Sequence, residues 1–272
     1  SESDVKELRK ILDKKNSSVK IISKIENQEG LDNIHEITKA SDLVMVARGD
    51  LGIETDLADL PNIQRRIMYS TAKNGKRSIV ATHLLESMID NPTPTRAEVT
   101  DVANAIYEGA DAVMLSGETT VGNYPLKCVE MLKRIALKTE EFRTLGYERF
   151  LKSDSDWQNI ALAARDLASS IEANGIVVIT RSGETANVVS NTKPFRMPVF
   201  AFTDNDVTYN QLSLVGGMQP NRIPSLRTQS SAISMVKKIL LDKYKMKKGF
   251  KFVLLAGVFS ASHSDSLQII KI

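Results

Sequence analysis

Ala40-Ser41-Asp42-Leu43-Val44-Met45-Val46-Ala47 and Gly109-Ala110-Asp111-Ala112-Val113-Met114-Leu115-Ser116 follow one pattern. In each, small residues and an aspartate lead into a short apolar run of Val, Met and Leu, the composition of a strand buried on both faces. Runs of the same character at 19–25 and 78–81 join 43–46 and 112–115 to give four predicted strands. The stretches between them read as helices with clear punctuation. Residues 30–40 carry Leu31, Ile34 and Ile37 at helical spacing, Pro61 opens a helix that stops at Asn74-Gly75, and Thr95-Arg96-Ala97-Glu98 has the form of a capping box whose helix stops at Gly109. Repeated strand-then-helix units predict a β/α barrel with its functional groups at the C-terminal strand ends. Such a barrel needs eight units, and this stretch supplies half of them.

Beyond a helix over about 126–142 lies a charged, serine-rich stretch, 143–156, the natural place for a domain boundary. A second α/β pattern then begins, with a helix over 157–172 and strands at 176–180, 199–202, about 218–223, 252–256 and 267–270. It predicts an open, mostly parallel sheet with helices on both faces and a last strand running antiparallel. The expected domains are therefore 1–145, a partial (β/α)8 catalytic barrel, and 146–272, a C-terminal α/β regulatory domain.

Composition excludes several function classes. The 272 residues carry 36 basic and 33 acidic side chains, with no long block of either sign, so nothing points to nucleic acid or a membrane surface as partner. The basic run 243–248 reads as the solvated end of a helix. No apolar run approaches the roughly 18 residues of a membrane span. The single cysteine, Cys128, sits among apolar neighbours and fits a buried thiol in a reducing compartment. Phosphate-loop, dinucleotide-binding, nucleophile-elbow and zinc-protease motifs are missing, and with His35, His83 and His263 the only histidines, a histidine-based centre is poorly supported. His35 reads as a solvent-facing residue.

The chemistry gathers after the first two strands. Lys24 and Glu26 are two residues apart, so an extended backbone projects both from one face, roughly 6 to 7 Å apart. Asp50 follows Ala47-Arg48-Gly49, a loop or first helical turn whose backbone N–H groups are expected to be open and to seat a carboxylate. Two carboxylates from neighbouring strand ends suit Mg2+ (or Mn2+), which completes its octahedron with water and substrate oxygens. A lysine beside that ion would stabilise negative charge developing on a transferring phosphoryl group or an enolate. Thr82 follows the third strand at the analogous place and reads equally well as a capping hydroxyl. For Ser116-Gly117-Glu118, after the fourth strand, the structural role is favoured. In the second half, Thr180, Arg181, Ser182, Gly183, Glu184 and Thr185 join a strand to a helix and could cradle a phosphate, although an ordinary capped loop explains them too.

Five phrases in order resemble pyruvate kinase: Ile-Ser-Lys-Ile-Glu-Asn ending at Asn27, Met-Val-Ala-Arg-Gly-Asp-Leu-Gly ending at Gly52, Ala-Thr-His-Leu-Leu-Glu-Ser-Met ending at Met88, Pro-Thr-Arg-Ala-Glu-Val-Thr-Asp-Val-Ala-Asn-Ala ending at Ala105, and Met-Leu-Ser-Gly-Glu-Thr ending at Thr119. The resemblance implies phosphoryl transfer from phosphoenolpyruvate to ADP, giving pyruvate and ATP, in a cytoplasmic homotetramer. It implies that Lys24 acts as the catalytic cation and that Glu26 and Asp50 hold the divalent metal. It further implies that the backbone of Ala47, Arg48, Gly49 and Asp50 binds the substrate carboxylate, that Thr82 assists protonation of the carbon that becomes the methyl group, and that 180–185 is an effector phosphate loop. Any K+ would have its ligands outside this segment. The chain would start after the family's fourth barrel strand, hence the expectation of barrel strands 5–8, N-terminally incomplete and inactive alone. His83 stands where the family has Gln and Thr120 where it has Ala. The loop Val258-Phe259-Ser260-Ala261-Ser262-His263-Ser264-Asp265 lacks the Gly-Thr-rich form that closes over a sugar phosphate, which argues against fructose bisphosphate control. Alternatives from other classes are a Mg2+-dependent carbon–carbon lyase on a related barrel and a non-catalytic regulatory or assembly module.

Overall fold

The computed structural model describes residues 1–152, 155–226, 228–257 and 266–272. The chain divides into two compact units, Ser1–Lys152 and Ser153–Ile272.

In the first unit, helix α1 (Glu2–Lys14) precedes four strands, β1 (Ile22–Ile25), β2 (Leu43–Ala47), β3 (Arg77–Ala81) and β4 (Ala112–Met114). They pair in chain order, and every pairing is parallel. Helices α2 (Gln28–Asp32), α3 (Ile34–Ala40), α4 (Arg48–Glu54), α5 (Leu60–Lys73), α6 (Arg96–Tyr107), α7 (Gly117–Thr120) and α8 (Pro125–Thr139) lie between and after the strands. Sequential parallel strands that never reverse their order are the winding of a barrel rather than of a doubly wound sheet.

The strand register decides which side chains face where. Ile25, Val46, Val80 and Val113 lie side by side across the sheet and pack on one face against Leu31, Ile34, Ile37, Leu51, Ile67 and Met68 of the helices. Because strand side chains alternate, Lys24, Met45 and Ile79, also in register, point from the opposite face, followed there by Glu26, Ala47 and Ala81. The alternation thus puts a charged pair on the inner face of the curved sheet at its C-terminal edge.

Several local expectations are corrected. The first strand is shorter than 19–25, because Val19 is exposed and the N–H of Ile21 is taken by the Asp42 carboxylate at 2.7 Å. The predicted helix over 30–40 is two helices meeting at Asn33, the last cap of α2 and the first of α3. His35 is half-buried against Asn74 rather than fully solvent-facing. Residues 146–152, beyond the cut expected at 145, belong to the first unit: Tyr147 and Phe150 meet Tyr69 of α5 edge to face, with ring centroids 6.0 and 5.2 Å away. Cys128 is fully buried on α8, as expected of a core thiol, and burial together with the Glu118 charge pushes it up from the usual thiol range.

In the second unit, strands β5 (Ile176–Ile179), β6 (Val199–Thr203), β7 (Met218–Arg222), β8 (Lys251–Ala256) and β9 (Ser266–Lys271) form one sheet in the order β7-β6-β5-β8-β9. All pairings are parallel except β8 with β9. Alternation again sorts the residues. Ile176, Val178, Val199, Ala201, Val253 and Leu255 pack under α9 (Asp156–Ser170) and α10 (Glu184–Asn191), together with Leu212 at the end of α11 (Asp206–Leu212). Val177, Ile179, Phe200, Phe202, Phe252 and Leu254 pack against Ala232, Val236 and Leu240 of α12 (Gln229–Asp242). Both faces are covered, the requirement for a largely parallel sheet. Among the described residues, no helix is long and apolar enough to cross a membrane.

Candidate active site at the C-terminal rim of the first sheet

Lys24 ends on two carboxylates. Its Nζ lies 2.5 Å from Glu26 Oε2 and 2.8 Å from Asp50 Oδ2. Glu26 reaches it from the turn after β1 and Asp50 from the first turn of α4, which β2 feeds. The Asp50 carboxylate, and after it Glu26, hold the ammonium well above the ordinary lysine range, so it carries its proton. The three side chains are 50, 41 and 52 % exposed. Water screens ion pairs this exposed, which leaves them little net stability, so this convergence is not a stability device.

The same geometry tests the site for a metal. Two carboxylate oxygens that touch one ammonium are no farther apart than the sum of their distances to it, near enough for modest side-chain rotation to bring them onto one ion. Among the described residues, no group of three or more His, Cys, Asp or Glu is placed to hold a metal. A cation here would thus draw two protein carboxylates and take its other ligands from water or substrate, the habit of Mg2+ rather than of a structural Zn2+. The residues fit a hard divalent ion.

Thr82 follows β3 and lies beside α4. Its hydroxyl accepts the Gly49 N–H at 2.8 Å and donates to Ala81 O at 2.7 Å. Its backbone is unusual. Thr82 and His83 have φ of +70° and +52°, the left-handed region, which costs an ordinary L-residue about 1–2 kcal/mol and is rarer still for a β-branched one. Residues 48–50 begin a helix, the helical turn that the sequence allowed, but their amides are not all open: the Gly49 N–H is already bonded to Thr82. The Arg48 side chain packs around the Thr82 turn. It is buried, with Nη1 2.7 Å from Asp101 Oδ1, Nε and Nη2 3.2 and 2.6 Å from Thr82 O, and Nη2 3.2 Å from His83 O.

Glu118 has the structural role favoured from sequence. It is buried, and its carboxylate accepts the N–H groups of Leu85 at 3.1 Å and Ser116 at 2.7 Å, tying the loop after β3 to the loop after β4. His83 is exposed, 3.9 Å from Glu86.

The 180–185 loop is a capped turn more than an open cradle. Thr180 and Thr185 are 1 and 4 % exposed. The Thr180 hydroxyl accepts the Gly183 N–H at 3.0 Å, and Gly183, at φ +88°, is the N-cap of α10. Arg181 donates to Leu226 O at 3.1 Å; Arg181, Ser182 and Glu184 are exposed. The loop 258–265, on which the expectation about sugar-phosphate control fell, lies outside the described residues.

Known proteins resemble both units. Residues 1–129 match the model of the family described as "Pyruvate kinase, barrel domain", and residues 158–270 that of "Pyruvate kinase, alpha/beta domain". A pyruvate kinase of Mycobacterium tuberculosis is 38 % identical over 257 residues, which is 94 % of this chain and 54 % of that protein. That of Bacillus licheniformis is 39 % identical over 276 residues, 98 % of this chain and 46 % of that one. A crystal structure of a pyruvate kinase from Cryptosporidium parvum superposes with a TM-score of 0.93 at 31 % identity, covering all of this chain and 56 % of the other. The chain spans about half the length of the curated relatives it matches. With sequence likeness running through both units and a solved fold that overlays all of it, the chain belongs to the pyruvate kinase family and carries the second half of the catalytic barrel followed by the α/β domain.

Proposed function

We propose that the rim binds phosphoenolpyruvate and a divalent cation, and that this chain carries the lysine side of a phosphoryl-transfer site that converts phosphoenolpyruvate and ADP to pyruvate and ATP, the last step of glycolysis. The observation that carries the reading is the convergence of Lys24, Glu26 and Asp50 on one exposed point, in a chain whose relatives are named pyruvate kinase.

In the reaction, the bond from phosphorus to the enol oxygen breaks as a bond forms to a β-phosphate oxygen of ADP. The enolate left behind takes a proton at its methylene carbon and becomes pyruvate. Glu26 and Asp50 would hold Mg2+ or Mn2+, which when bound supplies positive charge beside the phosphoryl and enolate oxygens. Lys24 stays protonated and, being half-exposed, can turn from the carboxylates to a phosphoryl or enolate oxygen. The substrate carboxylate would seat at the start of α4, on the backbone of Ala47, Arg48, Gly49 and Asp50, displacing the Thr82 hydroxyl from the Gly49 N–H. Thr82, released from that bond and turning its hydroxyl proton from Ala81 O to the carbon, would relay a proton that it regains from water at the exposed rim.

The finer assignments belong to the same reading. Ser1–Lys152 serves as the catalytic part and Ser153–Ile272 as the regulatory part, in a cytoplasmic homotetramer. K+ takes its ligands outside this segment. The loop from Thr180 to Thr185 meets a phosphorylated effector through Arg181 and Ser182, and its place at the carboxyl end of β5, where the strand order reverses, is where open α/β sheets bind ligands.

Mn2+ titration followed by electron paramagnetic resonance tests the reading. The unaltered protein should bind the ion, and Glu26→Gln or Asp50→Asn should weaken binding at least tenfold. Equal binding by all three proteins would refute it.

A further inference from the structure

Arg48 and Gly49, consecutive in the chain, hold Thr82 from two sides. The Gly49 N–H takes its hydroxyl, and the Arg48 guanidinium takes its carbonyl twice and that of His83 once. Thr82 and His83 are the residues that carry left-handed backbone at this rim, and in that conformation both their carbonyls reach one guanidinium. The remaining nitrogen, Nη1, is fixed by Asp101 of α6. Asp101 is 36 % exposed while Arg48 is almost wholly covered, so the charge is anchored at its outer end and directed inward at the strained turn. All three guanidinium nitrogens are engaged. A lysine offers one nitrogen on a flexible stem and cannot span three acceptors in fixed directions.

From this we infer that Arg48 is a positioning residue: its guanidinium, set by Asp101, holds the Thr82–His83 backbone left-handed and so keeps the Thr82 hydroxyl against the start of α4. Without the clamp, Thr82 relaxes toward ordinary backbone angles, its hydroxyl swings off the rim, and the Gly49 N–H loses its acceptor. The inference takes from the proposed function the idea that Thr82 acts on the substrate carbon; the clamp itself stands on the geometry.

Amide hydrogen exchange at Gly49, measured by NMR, reads the clamp without any turnover. Arg48→Lys should speed Gly49 exchange at least tenfold while amides in the middle of α5 and α6 keep their rates, and Asp101→Asn, which alters only the outer anchor, should speed it by a smaller factor. If Arg48→Lys does not fold, Asp101→Asn decides. Gly49 exchange that stays at the parent rate in the folded variants, or that rises only in step with every other amide, overturns the inference. A second readout separates it from the functional reading: deuterium exchange into the methyl group of pyruvate, in the presence of Mg2+. If the unaltered protein exchanges that group, Arg48→Lys should slow the maximal rate at least tenfold with half-saturating pyruvate unchanged. If the unaltered protein exchanges nothing, the assigned role of Thr82 fails, and the Gly49 amide still decides the clamp.

Discussion

Asp42 and Asp111 make the same pair of backbone bonds at equivalent places in the sheet. The Asp42 carboxylate accepts the N–H of Ile21 at 2.7 Å and the Asp111 carboxylate that of Ser78 at 2.9 Å, and each aspartate returns its own N–H to the carbonyl of the same residue at 3.1 Å. Each closes the start of one parallel pairing, which is the physical content of the repeated phrase around it. The surroundings differ. Asp111 and its partner Arg77 are 3 and 6 % exposed, whereas Asp42 and its partner Arg9 are 24 and 31 % exposed. Removing one partner of a buried pair costs about 3–5 kcal/mol, and removing one of a half-buried pair, which water still screens, costs less. In urea denaturation, Asp111→Ala should therefore lose several-fold more stability than Asp42→Ala.

Acid should weaken the start of α6 through Glu98. Thr95 and Glu98 form the capping box read from sequence, and the carboxylate also accepts the Ser87 N–H at 2.7 Å and the Ser87 hydroxyl at 2.5 Å. Burial alone would raise its pKa, but the bonds from Ser87 and Thr95 together outweigh that and hold it below the usual glutamate range. A carboxyl depressed in the folded state stabilises fully above its unfolded pKa, near 4.5, and the stabilisation disappears as the pH falls through the folded value. Glu98→Gln should cost about 1–2 kcal/mol at pH 7. The gap in melting temperature between variant and parent should narrow steadily as the pH is lowered below 4.5, and a gap that holds constant would contradict the assignment.

The legible parts of this molecule are those in which one residue type does its work locally. Val44, Val46 and Val80 announce buried strands, Thr95 and Glu98 announce a helix start, and the two-residue spacing of Lys24 and Glu26 gives their common face without knowledge of the fold. What stayed hidden depends on partners far along the chain. Arg48 looks like part of an open anion-binding loop until Asp101 and the carbonyls of Thr82 and His83 are found around it. The left-handed turn has no signature either, because neither Thr82 nor His83 is a glycine or asparagine, the residues that usually mark one. Residues 143–152 read as polar linker because their charges outnumber Tyr147 and Phe150, yet those two rings fasten the segment to Tyr69. Thr180 read as part of either a phosphate cradle or a capped loop, because loop composition does not reveal that the chain folds over it.

Gly49→Ala separates folding from binding at the rim. A methyl group there would lie 3.4 Å from Thr82 Oγ1 and 3.6 Å from His83 Cε1, ordinary van der Waals contacts. Gly49 is inside α4, where alanine is favoured over glycine by about 0.5–1 kcal/mol, so thermal stability should hold or rise slightly. The methyl nevertheless occupies the space in front of the Thr82 hydroxyl, into which a substrate carboxylate must move to reach the Gly49 N–H. On the proposed function, pyruvate affinity in calorimetric titration should fall at least tenfold while Mn2+ binding, which relies on Glu26 and Asp50, stays within twofold. Undiminished pyruvate binding by the folded variant would place the carboxylate seat elsewhere on the rim and leave the start of α4 with a purely structural role.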